Sequence, residues 1–600
     1  MHHLARLLTV GISVSLVGVG SSPLSAQSAP SIGPVRAFSP AAAPRQAGPP
    51  LRLAEKSVIE QPAVLRPASE GARDELDALN AWNRSGKRPT RSGFTRTLAE
   101  PITAVFRPGS AANGGAEPRA ARSLSASGSL VWGTKVTVMG AYGIRMHLKS
   151  VHLPTGTRLW SYGSEGAPTG FGMELISSRG DIWAPAVFAE TAFLEVEIPA
   201  GALKQGGSFE IADVAELVHP ELLGAAPQAA DSPSCLQDAA CITSARFSPI
   251  DLAHHAVAQL QFMVGNQAFL CTGTLLNDTK SDFTPYLLTA HHCFSTQDEV
   301  STLEAFWDYV DASCGGAPPN EGSLPRSDGG TLLAVGAVSD FTFVQLLSLP
   351  DGRAFMGWDA DSGVVSQGTT LYRVSHPAPN GVPLPQSYAE TLVDASSSPC
   401  IFDEVSPAAA DRPEFIYSAT SFGDEYPGSS GSASMLADGS VVGQLTGSCP
   451  GVNDNCTQAH EVVDGAFSTT YSFIAPWLNV LSTTQPCVPN ANTLCMNNGR
   501  FEVTATYSNQ FGGGAAKAIV VSDATGFFTF DNPASVELVV KVLDACSFSP
   551  DFWVFLGGLT NQQATVSARD TKTGQIRTYF NPLGTTFVTV ADTSAFATCP

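Results

Sequence analysis

Three short stretches of this 600-residue chain carry residue types that together could activate a hydroxyl group: Thr289-Ala290-His291-His292-Cys293, Ser339-Asp340-Phe341-Thr342 and Pro427-Gly428-Ser429-Ser430-Gly431-Ser432. A serine hydroxyl is a poor nucleophile at neutral pH, so a neutral imidazole must take its proton and later hand it to the leaving group. A buried carboxylate must hold that imidazole in one tautomer and stabilise its charged form. Two backbone N–H groups must face the oxygen that gains charge. We assign Ser430 as nucleophile, His292 as base and Asp340 as orienting carboxylate, with Gly428 and Ser430 giving the oxyanion-hole amides. The apolar run Phe341 to Leu347 is expected to bury Asp340 as a strand. Glycines at 428 and 431 would admit the unusual backbone such a turn demands.

Each stretch has an ordinary use. A lone histidine is commonly structural, a Gly-Ser-Ser-Gly-Ser run is commonly a turn or linker, and an aspartate before a strand commonly caps it. Their order and domain-scale spacing make the combination informative. On a strand His291 and His292 would point to opposite faces, so one at most serves the site, and His292, beside Cys293, is preferred. A metal site from His291, His292 and Cys293 is the competing reading. The remaining cysteines lack metal-ligand spacing and HExxH is absent, so no metal and no cofactor is expected. His254, His255 and His376 are read as packing or turn residues.

At this point the chain resembles the bacterial lysyl endopeptidase-like branch of the chymotrypsin superfamily. The resemblance rests on Ser234-Cys235 with Cys241, Cys271-Thr272-Gly273-Thr274-Leu275-Leu276-Asn277, the TAHHC, SDFT and PGSSGS stretches, Gly357-Trp358-Asp359, His376-Pro377 and Gly443-Gln444-Leu445, over about residues 232–482. It implies a mainly β protein with a chymotrypsin-like double β-barrel, the triad between the barrels, and a secreted serine endopeptidase working through an acyl-enzyme on Ser430. It also suggests the pairs Cys271–Cys293, Cys235–Cys456 and Cys241–Cys314. We further expect Cys400–Cys449, Cys487–Cys495 and Cys546–Cys599; spacing alone does not dictate any of them.

Two departures from the family pattern bear on activation and specificity. Ser429 stands where many superfamily members carry an aspartate that pairs with a new amino terminus, so activation by that ion pair is not expected. Lysine selection in the family depends on an aspartate three residues before a glycine; counting back from Gly465, the equivalent is Val462. Asp424, six residues before Ser430, or Glu461 could restore a basic preference. If neither reaches the pocket, a small or apolar side chain is expected there, because a cation buried without a partner is costly. Thr446, Gly447 and Ser448 are the expected pocket wall, along which an extended substrate could add as a strand.

The rest of the chain must position these groups. Residues 1–26 carry His2, His3 and Arg6, an apolar run from Leu7 to Val19 and Leu24-Ser25-Ala26, as in a secretory signal peptide. Residues 27–125 are expected to be a largely unstructured leader with a short helix over Glu70–Trp82, broken at Ser85-Gly86. Short strands at Lys135–Met139, Ile144–Val151 and Ala192–Ile198 predict a small β-sandwich at 126–228, either a propeptide or a retained accessory domain. Cleavage near Ala229–Ser232 would separate it from the protease domain at 232–482. Residues 485–600 predict a β-rich C-terminal module, with Tyr507, Phe511, Phe527, Phe528, Phe530 and Trp553 as core packing or, alternatively, a binding platform.

Thirty-three Lys plus Arg face 54 Asp plus Glu, a formal net charge of −21. That balance argues against a nucleic-acid partner, and no stretch beyond the signal is long enough for a membrane span. Twelve cysteines, all from Cys235 onward, fit an oxidising compartment. The expected molecule is an extracellular bacterial monomer acting on protein or peptide substrates. A catalytically degenerate barrel serving as an adhesin is the alternative.

Overall fold

The computed structural model describes residues 31–599 except 34, 37–47, 50, 67–69, 86–87, 108–116, 219–234, 395–413, 449–460, 480–486, 510–511 and 582. The expected signal peptide, the cleavage stretch Ala229–Ser232, and Cys400, Cys449, Cys456 and Phe511 lie outside the described residues.

Strand alternation builds the N-terminal sandwich. Leu130–Val138 turns Leu130, Trp132, Val136 and Val138 inward, as the period of two requires. It lies in a sheet ordered Ala63–Leu65, Leu130–Val138, Thr191–Ile198, Arg158–Tyr162 and Thr169–Phe171, with Ala121–Leu124 alongside Leu130–Val138. The facing sheet runs Ile182–Trp183, Ala141–His152, Gly207–Val218 and Thr90–Phe106. Leu148, Leu159, Ile211 and Val214 are fully buried between them.

The expectation of a largely unstructured 27–125 is corrected here. The helix forms, over Glu70–Arg84, but it is followed by the 17-residue strand Thr90–Phe106, which buries Phe94, Leu98, Ile102, Ala104 and Phe106. Glu100 and Pro101 interrupt its alternation, which masks the strand in the sequence. Its first residues pair with the protease region, Thr90 opposite Leu270 and Phe94 opposite Gln267, so one sheet runs from the sandwich into the first barrel. Ser31–Ile32 and Val35–Arg36 also pair, with Asp359–Trp358 and Phe355–Ala354.

Two β-barrels follow. The first contains Val257–Val264, Gln267–Leu276, Tyr286–Thr289, Glu304–Phe306, Arg326–Asp328, Gly330–Gly336 and Phe341–Leu346, around Leu260, Phe262, Leu287, Trp307 and Val344. The second contains Thr370–Ser375, Ser387–Val393, Phe415–Phe422, Ala433–Met435, Val441–Ser448 and Glu461–Ala466. It closes because Glu461–Ala466 pairs on both sides, with Phe415–Phe422 and Val441–Ser448. The helix Phe467–Leu478 packs Phe473 against Phe341 of the first barrel, at the seam where the site lies. The fold is mainly β and chymotrypsin-like.

The C-terminal region forms two further five-stranded sheets. Phe528 and Phe530 are buried in its core and Tyr507 stacks on Phe530 at 4.4 Å, which favours packing over a platform. Four disulfides are present as expected, Cys241–Cys314, Cys271–Cys293, Cys487–Cys495 and Cys546–Cys599, and Cys235 is also disulfide-bonded. Among the described residues, no helix is long and apolar enough to cross a membrane.

Candidate active site

His292 and Asp340 meet at the open end of the first barrel. The strand Tyr286–Thr289 ends before the histidines, so His291 and His292 sit in a turn, where the alternation of a strand does not apply. Asp340 precedes Phe341–Leu346 with φ of 53°, a left-handed conformation that aspartate tolerates better than most residues. Its Oδ2 accepts from His292 Nδ1 at 2.8 Å and its Oδ1 from the His292 backbone N–H at 2.9 Å. The backbone N–H of His291 donates to the Asp340 carbonyl at 3.1 Å. Burial alone would push the Asp340 carboxyl up, but the charge and hydrogen bond of His292, with His291 adding to them, hold it below the usual carboxylate range.

Ser430 is buried on the second barrel's side of the seam. Its carbonyl accepts from Thr272 N–H at 2.8 Å and lies 3.9 Å from Cys293 Sγ, next to His292. The Cys271–Cys293 bridge ties the histidine turn to the strand that holds this carbonyl. Among the described residues, His292 Nε2 is buried with no hydrogen-bond partner, so the Ser430–His292 bond is not made in this structure. Two glycines are dictated by the space around the serine. Gly428 has φ of 102°, and a Cβ there would fall 2.6 Å from Ala378 N; Gly431 has φ of 83°, and a Cβ would fall 2.1 Å from Thr289 Oγ1. Ser429 is fully buried and its Oγ accepts from Ser375 Oγ at 3.0 Å.

The strand Val441–Ser448 is tied to the serine turn by Gly431 N–H donating to Leu445 O and Leu445 N–H to Ser432 O. Thr446 is buried, Gly447 follows it, and Ser448 ends the strand opposite Val462. Val462 is buried, while Glu461 is half-buried at the start of its strand. Asp424 is buried and accepts from Glu425 N–H at 2.8 Å.

Sequence reasoning missed the charged cluster beneath the serine turn. Arg373, fully buried, donates to Asp464 Oδ1 at 2.6 Å, Ser432 O at 2.8 Å and Ser434 Oγ at 2.8 Å, and its Nε lies 2.5 Å from Glu425 Oε1. Burial pushes Glu425 up to about 7 against the pull of Arg373, whereas Asp464 and Glu425 overcome burial to keep Arg373 firmly charged. The signal was present: Arg373 and Asp464, charged residues inside the strands Thr370–Ser375 and Glu461–Ala466, each require a buried partner.

Two family models match the chain in sequence order. The family described as "Lysyl endopeptidase, C-terminal domain" matches residues 229–464, and "Lysyl endopeptidase N-terminal domain" matches 123–218. A lysyl endopeptidase from Pseudomonas aeruginosa is 26% identical over 223 residues, covering 35% of this chain and 47% of that protein; the chain thus matches about half the length of that relative. Similar solved structures include the active form of the Rv3671c protease from M. tuberculosis, at 12% identity and TM-score 0.25 over 37% of this chain and 81% of that one. Another is HL collagenase, at 15% identity and TM-score 0.26 over 36% and 90%. Both family domains are matched in the family's order, at 123–218 and 229–464, so this region of the chain is that of a lysyl endopeptidase-like protease.

Proposed function

We propose that this chain is a secreted serine endopeptidase that hydrolyses peptide bonds of protein or peptide substrates through an acyl-enzyme on Ser430. The supporting observation is the two-point hold of Asp340 on His292, through Nδ1 and through the backbone N–H. That hold fixes the ring with Nδ1–H donating, which leaves Nε2 as the base. In this reading Ser430 Oγ attacks the scissile carbonyl while Nε2 takes its proton. The amides of Gly428 and Ser430 stabilise the oxyanion, and His292 returns the proton to the leaving amine. Water, deprotonated by the same imidazole, then hydrolyses the ester.

The disulfides support an exported protein, with residues 1–26 as its signal and the sandwich at 126–228 as a propeptide. Ser430→Ala should lower casein hydrolysis about a millionfold if the groups act as a unit. Unchanged hydrolysis by that variant would overturn the assignment.

A further inference from the structure

Arg88 connects the helix Glu70–Arg84 to the strand Thr90–Phe106, far in sequence from the protease region, yet its side chain lies on the proposed substrate wall. Its base is fixed. Trp82 Nε1 donates to Pro89 O at 2.9 Å, and Asn83 exchanges hydrogen bonds with the Arg91 backbone, donating to its carbonyl and accepting from its N–H, both at 2.9 Å. Asn83 Nδ2 also donates to Asn380 O of the protease region at 3.0 Å. A Cβ on Gly381 would fall 2.3 Å from Arg91 O, so the two regions meet here at backbone distance.

From this base Arg88 Nη1 donates to Thr446 O at 2.7 Å. A Cβ on Gly447 would lie 0.8 Å from the same nitrogen, so the guanidinium fills the space any side chain at 447 would take. The charge fits the surroundings. Glu425 and Asp464 share the single guanidinium of Arg373, and Arg88 brings a second positive group into the field of Glu425 and of Asp340. Burial pulls Arg88 down to about 10 against those two carboxylates, which leaves it protonated at neutral pH.

We propose that Arg88 is a built-in occupant of the substrate cleft: its guanidinium stands where a substrate's charged side chain would sit, keeps the intact chain latent, and marks the pocket as one for arginine. The latency rests on the serine endopeptidase reading; the occupancy does not. The wall offers a carbonyl acceptor and a glycine-sized recess, and a planar guanidinium can bond edge-on while lying flat against the glycine.

The test uses the full chain and benzamidine, a planar amidinium probe. In a Ser430→Ala background, calorimetry should show benzamidine binding at least about tenfold tighter when Arg88→Ala or Arg88→Met is added, the methionine variant keeping the hydrophobic stem should alanine unfold the turn. Equal binding with and without Arg88 would overturn the proposal. With Ser430 present, Arg88→Met should react with a fluorophosphonate at least about tenfold faster than the unaltered chain. Equal rates, with Ser430 labelled in both, would overturn the latency and leave the serine chemistry standing. Tighter benzamidine binding with no label at Ser430 in either chain would uphold the occupancy and refute the serine reading.

Discussion

Asp340 carries two demands at once: it orients the imidazole through Nδ1 and anchors the turn through the His292 backbone N–H. Asp340→Asn can keep the backbone contact but presents an amide that favours the wrong tautomer. It should lower kcat by about 10⁴ with little change in KM, as steady-state hydrolysis of a peptide substrate would measure. Arg373 makes a different prediction, about stability. Arg373→Met strands Asp464 and Glu425 in the interior, and urea unfolding should show a loss of about 3–5 kcal/mol. His292, Asp340 and Ser430 could be singled out because their neighbours in sequence form chemical motifs, and the hydrogen bond between His292 and Asp340 is present. Arg373, Glu425 and Asp464 were not singled out because their relation exists only once strands far apart in sequence adjoin. Asp424 drew notice through its spacing from Ser430, while Glu425, one residue on, makes the ion pair.

At the scale of elements, the Cys271–Cys293 bridge closes a 22-residue separation and fixes the histidine turn to the strand that holds the Ser430 carbonyl. Replacing both cysteines by alanine should cost about 2–4 kcal/mol in urea unfolding. It should also slow fluorophosphonate labelling, because the turn carrying His292 is then held by hydrogen bonds alone. The strands of the sandwich and of the C-terminal module were legible from alternation: Ile144–Val151 was expected and Ala141–His152 is found, Phe501–Tyr507 was expected and Phe501–Asn509 is found. Thr90–Phe106 was missed. Its polar positions near Glu100 face outward where the alternation breaks, and its first four residues are buried where another region's sheet continues past them and Asn83 bonds to Thr90 and Arg91.

The whole molecule is knitted across the boundary between sandwich and first barrel. Arg145 of the sandwich donates to Thr302 O at 2.9 Å and pairs with buried Glu304 at 3.2 Å. Glu321, buried near the same boundary, is pushed up to about 7 by burial, against hydrogen bonds from Tyr309 of the barrel and Tyr142 of the sandwich. A carboxyl raised in the folded state costs nothing below the unfolded value near 4.5, where both states are protonated. Between about 4.5 and 7 the unfolded chain ionises first, so stability falls with rising pH, by about 3 kcal/mol in all, and then levels off. Glu321→Gln should remove that slope: chemical unfolding should show the variant more stable than the parent at pH 7.5 and nearly equal at pH 4. An unchanged slope would mean that Glu321 does not hold its proton at this boundary.

The proposed catalysis turns on whether His292 activates Ser430, and covalent labelling reads that directly. Full-length chains, unaltered and carrying Arg88→Met, are incubated to completion with a fluorophosphonate and mapped by peptide mass spectrometry. The adduct is expected on Ser430 and is lost in His292→Ala. No adduct on Ser430 in either chain, or equal labelling of Ser430 without the imidazole, would contradict the proposed catalysis.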